Sequence, residues 1–138
     1  MTKTIEFKGR CLCGAVTFEG EAPNEPVSSC HCKQCRQWGS GPFEAFSLPL
    51  ADLKFISGED AVKYYESSEF ARRGFCSKCG SNLFWHADRH PQWKDRIAIA
   101  VGTLEQPPGL TAGNHIFCAT KGDYYEIEDG RPQYAYED

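Results

Sequence analysis

The sequence predicts a mainly β domain with very little helix. Three observations carry that expectation: apolar and polar residues alternate with a period of two over short runs, 13 glycines and 8 prolines cut the chain into short pieces, and only residues 32–38 and 58–62 admit a helix. Hydrophobic residues make up 41% of the chain and aromatics 13%, enough for a core, and 138 residues fit a single domain spanning 1–138.

Ile5 and Phe7 alternate with Glu6, Lys8 and Arg10, and Val16 and Phe18 alternate with Thr17 and Glu19, so residues 5–10 and 15–19 read as half-buried strands. Between them Cys11, Leu12, Cys13 and Gly14 form the turn of a hairpin, where Gly14 can supply the positive φ that turns backbone N–H groups toward the thiols. Residues 21–26, with Pro23 and Pro26, read as a loop. The run 32–38 lacks breakers and predicts one short helix ending at Gly39. Further strands are expected over 43–50, 53–56, 62–66, 70–75, 83–86, 97–101 and 114–118, the run 97–101 being apolar enough to be buried on both faces.

A formal charge of −4, a pI near 5.6 and an acidic end at Glu126, Glu128, Asp129, Glu137 and Asp138 give no field that would attract phosphate backbones. Arg72 and Arg73 are the one conspicuous basic pair, so nucleic-acid binding is not expected. The opening residues MTKTIEFKGR carry no apolar signal region, and no apolar run approaches the ~20 residues of a membrane span, so a cytoplasmic protein without membrane attachment is expected. Thiols in a reducing compartment stay free to take metal. Nothing in the chain specifies an oligomer.

Seven of the 8 cysteines fall into tight groups: Cys11 and Cys13; Cys30, Cys32 and Cys35; Cys76 and Cys79. Two of these groups are knuckles followed by glycine, Gly14 and Gly80, the form of a zinc turn. Four thiolates complete a tetrahedral site, whereas three leave one position for water or a substrate atom. The spacing admits more than one partition: Cys11 and Cys13 can join Cys76 and Cys79, or Cys30 and Cys32. The triplet admits an open site, a site closed by His31, His86, His90 or His115, or a redox pair of Cys30 and Cys35. Cys118, the unclustered thiol, reads as a buried small hydrophobe. His31, between two of these cysteines, reads either as a proton carrier facing the open position or as a surface histidine beside a metal turn. Arg36, His115 and Lys121 are candidates to bind a substrate carboxylate, and Trp38, Phe43, Phe46, Trp85 and Tyr124 to wall a cleft or fill the core.

The segments GRCLCGAVTFE, SCHCKQCRQWGSGPF, YYESSEFARRGFCSKCGSNLFW and HIFCATKGDYYEI, in this order and covering nearly the whole chain, resemble the glutathione-dependent formaldehyde-activating enzyme family, which includes centromere-protein-V-like proteins. The resemblance implies a β-tent fold of stacked antiparallel sheets and two zinc ions. It implies that Cys11, Cys13, Cys76 and Cys79 hold a structural zinc, and that Cys30, Cys32 and Cys35 hold a catalytic one. Tyr124 and Ala119 depart from the residues frequent at their positions, tryptophan and an acidic residue, which implies a different substrate pocket.

The expected function is therefore that of a carbon–sulfur lyase acting on the adduct of a thiol, such as glutathione, with a small aldehyde such as formaldehyde, the product in that case being S-hydroxymethylglutathione. Two other classes fit parts of the pattern: a non-catalytic zinc-stabilised interaction module, and a methionine sulfoxide reductase-like enzyme with Cys118 as nucleophile. The second lacks an electropositive setting for that thiol apart from His115 and Lys121.

Overall fold

A computed structural model describes residues 3–105 and 109–137. Asp138, the last of the acidic residues named above, lies outside the described residues. The strands in chain order are β1 (Thr4–Arg10), β2 (Thr17–Pro23), β3 (Val27–Cys30), β4 (Phe43–Pro49), β5 (Leu53–Ser57), β6 (Val62–Glu66), β7 (Arg72–Cys76), β8 (Asn82–His86), β9 (Arg96–Ala100) and β10 (Ala112–Ile116). One α-helix, α1 (Lys33–Gly39), and four single 3₁₀ turns make up the described helical content, so the mainly β expectation is met.

β1 and β2 form the expected antiparallel hairpin, Thr4 opposite Pro23 and Arg10 opposite Thr17, and β5 adds to the far side of β2. The other seven strands make one sheet in the order β10-β3-β4-β9-β8-β7-β6, antiparallel except where β10 runs parallel to β3. The two sheets face each other across aromatic pairs, Phe7 against Phe46 at 5.9 Å between ring centres and Phe18 against Phe84 at 5.2 Å. Phe46, Leu48, Leu83, Phe84 and Ile99 are wholly buried between them, each such side chain contributing about 1.5–3 kcal/mol of transfer free energy. The sheets thus lean together in the β-tent arrangement, and Ile97, Ala98 and Ile99 of β9 are all buried, as an apolar run at the centre of a sheet requires.

Three expectations, the loop over 21–26, the strand over 114–118 and the burial of Cys118, are corrected. Residues 21–23 are not loop but the end of β2: Ala22 is buried opposite Ile5, and Pro23 lies beyond Gly20, the last residue paired with β5, where a missing N–H is tolerated. β3, whose sequence VSSC is a poor strand former, is made a strand by its two neighbours, β4 on one side and β10 on the other. The strand expected over 114–118 ends at Ile116, because Phe117 takes a left-handed conformation (φ 56°) and leads into a 3₁₀ turn at Cys118–Thr120. Cys118 is half-buried there, not buried. The chain end straps this turn: the N–H groups of His115, Phe117, Cys118 and Ala119 donate to carbonyls of Pro132, Tyr136, Tyr134 and Ala135.

Candidate metal centres

The hairpin turn between β1 and β2 and the turn after β7 bring Cys11, Cys13, Cys76 and Cys79 together, their sulfurs all within 4.8 Å of one another. Gly14 (φ 80°) and Gly80 (φ 79°) hold the left-handed positions that close both turns. Cys11 and Cys13 Sγ are 3.6 Å apart, and Cys13 and Cys76 Sγ, 63 residues apart in sequence, 3.9 Å. A tetrahedron with metal–sulfur bonds of ~2.3 Å has sulfur–sulfur edges of about 3.8 Å, so these spacings fit a divalent ion and are far too long for a disulfide at ~2.05 Å. Backbone N–H groups of Val16 and Lys78 point at Cys11 Sγ (3.3 Å) and Cys76 Sγ (3.4 Å), which is how a thiolate is stabilised in such a turn. Ser81 and a backbone N–H of the turn bring the Cys79 thiol down to about 5.

The second group forms where β3 passes into α1. Cys30 closes the strand, Cys32 caps the helix with its sulfur accepting from the N–H of Cys35 (3.3 Å), and Cys35 follows one turn on. The three sulfurs again lie within 4.8 Å of one another, and among the described residues no histidine or carboxylate atom joins them. Cys30 and Cys35 pull the Cys32 thiol down to about 2, while Cys32 pushes the Cys30 thiol far up, so one negative charge is shared over closely spaced sulfurs. Phe43, Trp38 and Trp85 pack around the group, with Trp38 and Phe43 edge to face at 5.6 Å. Of the other aromatics considered, Phe46 belongs to the main core and Tyr124 is 68% exposed.

Arg73 also reaches this group. Only 2% exposed, it crosses from β7 to α1, where its Nη2 donates to Gln34 Oε1 (2.9 Å) and points at Cys35 Sγ (3.6 Å). Arg72 goes to the other face, stacks 3.8 Å over the Tyr64 ring and faces Asp88 at 3.6 Å. The two arginines are therefore not a surface basic patch.

Beside the cysteine turn, His31 and His115 form a buried hydrogen-bonded pair, Nε2 of His31 to Nδ1 of His115 at 2.8 Å. His31 Nδ1 meets Tyr125 Oη at 2.8 Å, and His115 Nε2 meets Asp129 Oδ2 at 2.9 Å. The backbone N–H of Arg131, then His115, then the Arg131 guanidinium hold the Asp129 carboxyl well below the usual carboxylate range, so it is an acceptor only. Asp129 takes the proton of His115 Nε2, and in the tautomer that leaves His115 Nδ1 an acceptor, His31 Nε2–H donates to it and Tyr125 donates to His31 Nδ1. Burial, then the neighbouring His115, lower the His31 pKa and keep its ring neutral. Long-range ¹H–¹⁵N spectra at mildly alkaline pH should show both rings as Nε2–H tautomers in the wild type, and Asp129→Asn should disorder His115. A Nδ1–H His31 in the wild type contradicts this ordering.

The model of the family described as "Glutathione-dependent formaldehyde-activating enzyme" matches residues 6–120. The chain belongs to that family. A relative in Schizosaccharomyces pombe, named an uncharacterized lyase, is 40% identical over 80 residues, which is 58% of this chain and 57% of that protein, so the match spans just over half the length of that relative. A Halomonas elongata protein provisionally named a glutathione-dependent formaldehyde-activating enzyme is 31% identical over 130 residues, 88% of this chain and 81% of its own. A crystal structure of a Rhodobacter sphaeroides protein shares the fold, with a TM-score of 0.62 at 22% identity over 92% of this chain and 98% of that one.

The remaining candidates for substrate contact in this family member take other places. His115 has both ring nitrogens bonded and its ring buried, which removes it from contact with a substrate carboxylate. Arg36 donates to the carbonyls of His31 (3.2 Å) and Thr120 (2.9 Å) and so ties the cysteine turn to the turn after β10, whereas Lys121 donates to those of Tyr125 (2.7 Å) and Gly122 (3.2 Å) within its own segment. His31 itself is turned to Tyr125 and His115 and is not among the atoms grouped with the three sulfurs. His86 Nε2 lies 2.7 Å from the Lys94 carbonyl and His90 stacks on Trp93 at 4.5 Å, so neither closes the second group. Asp129 and Tyr125, unmarked in the sequence, enter through this chain of contacts; Asp129 read there only as part of an acidic end.

Proposed function

We propose that the chain is a zinc-dependent carbon–sulfur lyase, residues 1–138 acting as one domain, and that it acts on the adduct of a thiol such as glutathione with a small aldehyde such as formaldehyde. The observation that carries this reading is the contrast between a complete set of four sulfurs and a set of three with no fourth protein ligand among the described residues. Cys11, Cys13, Cys76 and Cys79 would hold a structural zinc, and Cys30, Cys32 and Cys35 a second, catalytic one; soft thiolate donors at these spacings suit that ion. When bound in the open site, zinc supplies a Lewis acid that favours the ionised form of an incoming thiol near neutral pH.

In the bond-forming direction the thiol sulfur joins the aldehyde carbon, and the thiol proton ends on the former carbonyl oxygen. Trp38, Phe43 and Trp85 pack on the buried side of the group, where Cys35 lies, and strengthen charge interactions there, while Cys30 and Cys32 are half-buried and leave a side open to a substrate. The Tyr125–His31–His115–Asp129 chain runs from the buried turn to the half-exposed Asp129 carboxylate and holds protons in a fixed order behind the turn that carries Cys30 and Cys32. The names of the relatives, a lyase and a formaldehyde-activating enzyme, support the same reaction class. All 8 cysteines are free thiols, which suits a reducing compartment such as the cytoplasm. No helix among the described residues is long and apolar enough to cross a membrane.

Because the addition also proceeds without protein, the test is a rate above buffer. Exchange of ¹³C-formaldehyde between free and S-hydroxymethyl forms of glutathione, followed by NMR, should be faster with the zinc-loaded protein than without it. A protein-independent rate together with no binding of labelled glutathione removes this assignment.

A further inference from the structure

We propose that Arg73 is the residue that makes the three-cysteine centre select an anionic fourth ligand, a thiolate, over a neutral one. The inference rests on the reading of that centre as an open metal site and adds the element that sets what enters it.

A guanidinium at 2% exposure has lost its water, and desolvating a charge costs several kcal/mol unless an opposite charge faces it. Among the described residues Arg73 pairs with no carboxylate. Its neighbours are the amide oxygen of Gln34, the Trp38 ring at 5.1 Å and Cys35 Sγ at 3.6 Å, while its cross-strand partners are Tyr65 and Trp85. Its Nε and Nη1 are buried without any acceptor. The three-sulfur group, with Cys35 Sγ at 3.6 Å, is the one acceptor set among the described residues of this face that becomes anionic when it binds a metal, and so the countercharge that this geometry offers the guanidinium.

Charge counting turns this into selectivity. Three thiolates and a divalent ion carry −1; a fourth thiolate makes the centre −2, which repels the incoming anion unless a fixed cation offsets it. Arg73 supplies that cation from the protein side, on a planar, rigid guanidinium held against Cys35 Sγ. A neutral ligand gains nothing comparable. At an effective dielectric near 20, one charge at this remove changes the anion-to-neutral preference by at least about tenfold.

The test uses full-length protein loaded with cobalt at both sites, whose thiolate bands report the ligands of each. It is titrated with 2-mercaptoethanol, which is uncharged apart from its sulfur, and with imidazole as the neutral ligand. Arg73→Gln should lower the affinity for the thiol relative to imidazole at least tenfold, and Arg73→Lys should stay within about threefold of the wild type. An unchanged thiol-to-imidazole ratio in Arg73→Gln overturns the inference while leaving the open site in place. A wild-type spectrum that ignores the thiol overturns the open-site reading and this inference with it. If the glutamine variant does not fold, shown by loss of the four-cysteine cobalt bands, Arg73→Met, which keeps the length and packing of the side chain without its charge, is titrated in its place: a preference lowered at least tenfold supports the inference, and an unchanged one overturns it.

Discussion

Cys13→Ala is expected to abolish cooperative folding of the domain at room temperature. Cys13 is exposed, so the substitution removes almost no packed volume and leaves the core between the sheets as it was. What it removes is one of four sulfurs that join the β1–β2 turn to the turn after β7. Structural zinc supplies apparent free energies of about 10–16 kcal/mol in small peptides, while a whole domain is stable by only about 5–15 kcal/mol. Losing most of the first exceeds the second. Near-UV circular dichroism and thermal melting with metal analysis check this: the variant should show neither a fixed aromatic signal nor a cooperative transition. A melting temperature within a few degrees of the wild type, with one metal missing, would show that packing alone holds the tent together. Cys79→Ala, at a half-buried sulfur of the same set, should behave alike.

The parts of this molecule that were legible in the sequence are those whose pattern is local. The hairpin of β1 and β2 announces itself because Phe7 and Phe18 alternate with charged residues while glycine and cysteines mark the turn. The short helix is marked by the breaker-free run 32–38, although Cys32 caps it from outside and Ser40 in a left-handed conformation, not Gly39, ends it. Features set by distant partners were not legible. β3 exists because β10 and β4 flank it, and VSSC carries no sign of that.

Arg73 shows the same limit within one strand. A strict period of two, anchored on the buried Cys76, puts Gly74 and Arg72 on its face and sends Arg73 to the other. β7 keeps that period, the extra residue of the register irregularity being Leu83 of β8, and Arg73 is buried because α1 covers its face of the sheet through Gln34 and Trp38, which the sequence of β7 does not show. A basic pair on the page of the sequence thus becomes one surface arginine and one buried countercharge. The C-terminal acidic residues are a further case: Asp129 meets His115 only because the chain end is hydrogen-bonded along the 3₁₀ turn that follows β10. No spacing rule connects a histidine with a carboxylate that a tail folds back onto it.

The division between the two cysteine sets predicts an opposite outcome at Cys32. Cys32→Ser should lose one of two metals per chain and bring formaldehyde–glutathione exchange down to the protein-free rate, yet melt within a few degrees of the wild type. Serine is chosen because the Cys32 sulfur has two roles: it belongs to the three-sulfur group, and it caps α1 by accepting from the N–H of Cys35. A serine oxygen is a good helix cap and a poor stand-in for a thiolate ligand, so the substitution removes only the second capacity. Cys32→Ala removes both and should melt lower than Cys32→Ser by the worth of a cap, about 1 kcal/mol. Cys35→Ala should cost more again, because Cys35 is buried and its sulfur faces Arg73, leaving a desolvated guanidinium without its countercharge. A stability that falls from Cys32→Ser through Cys32→Ala to Cys35→Ala, with activity absent in all three, separates metal chemistry from fold. Measurable turnover in Cys32→Ser would place the reaction elsewhere, and a collapse of its fold would make the three-cysteine set as structural as the four.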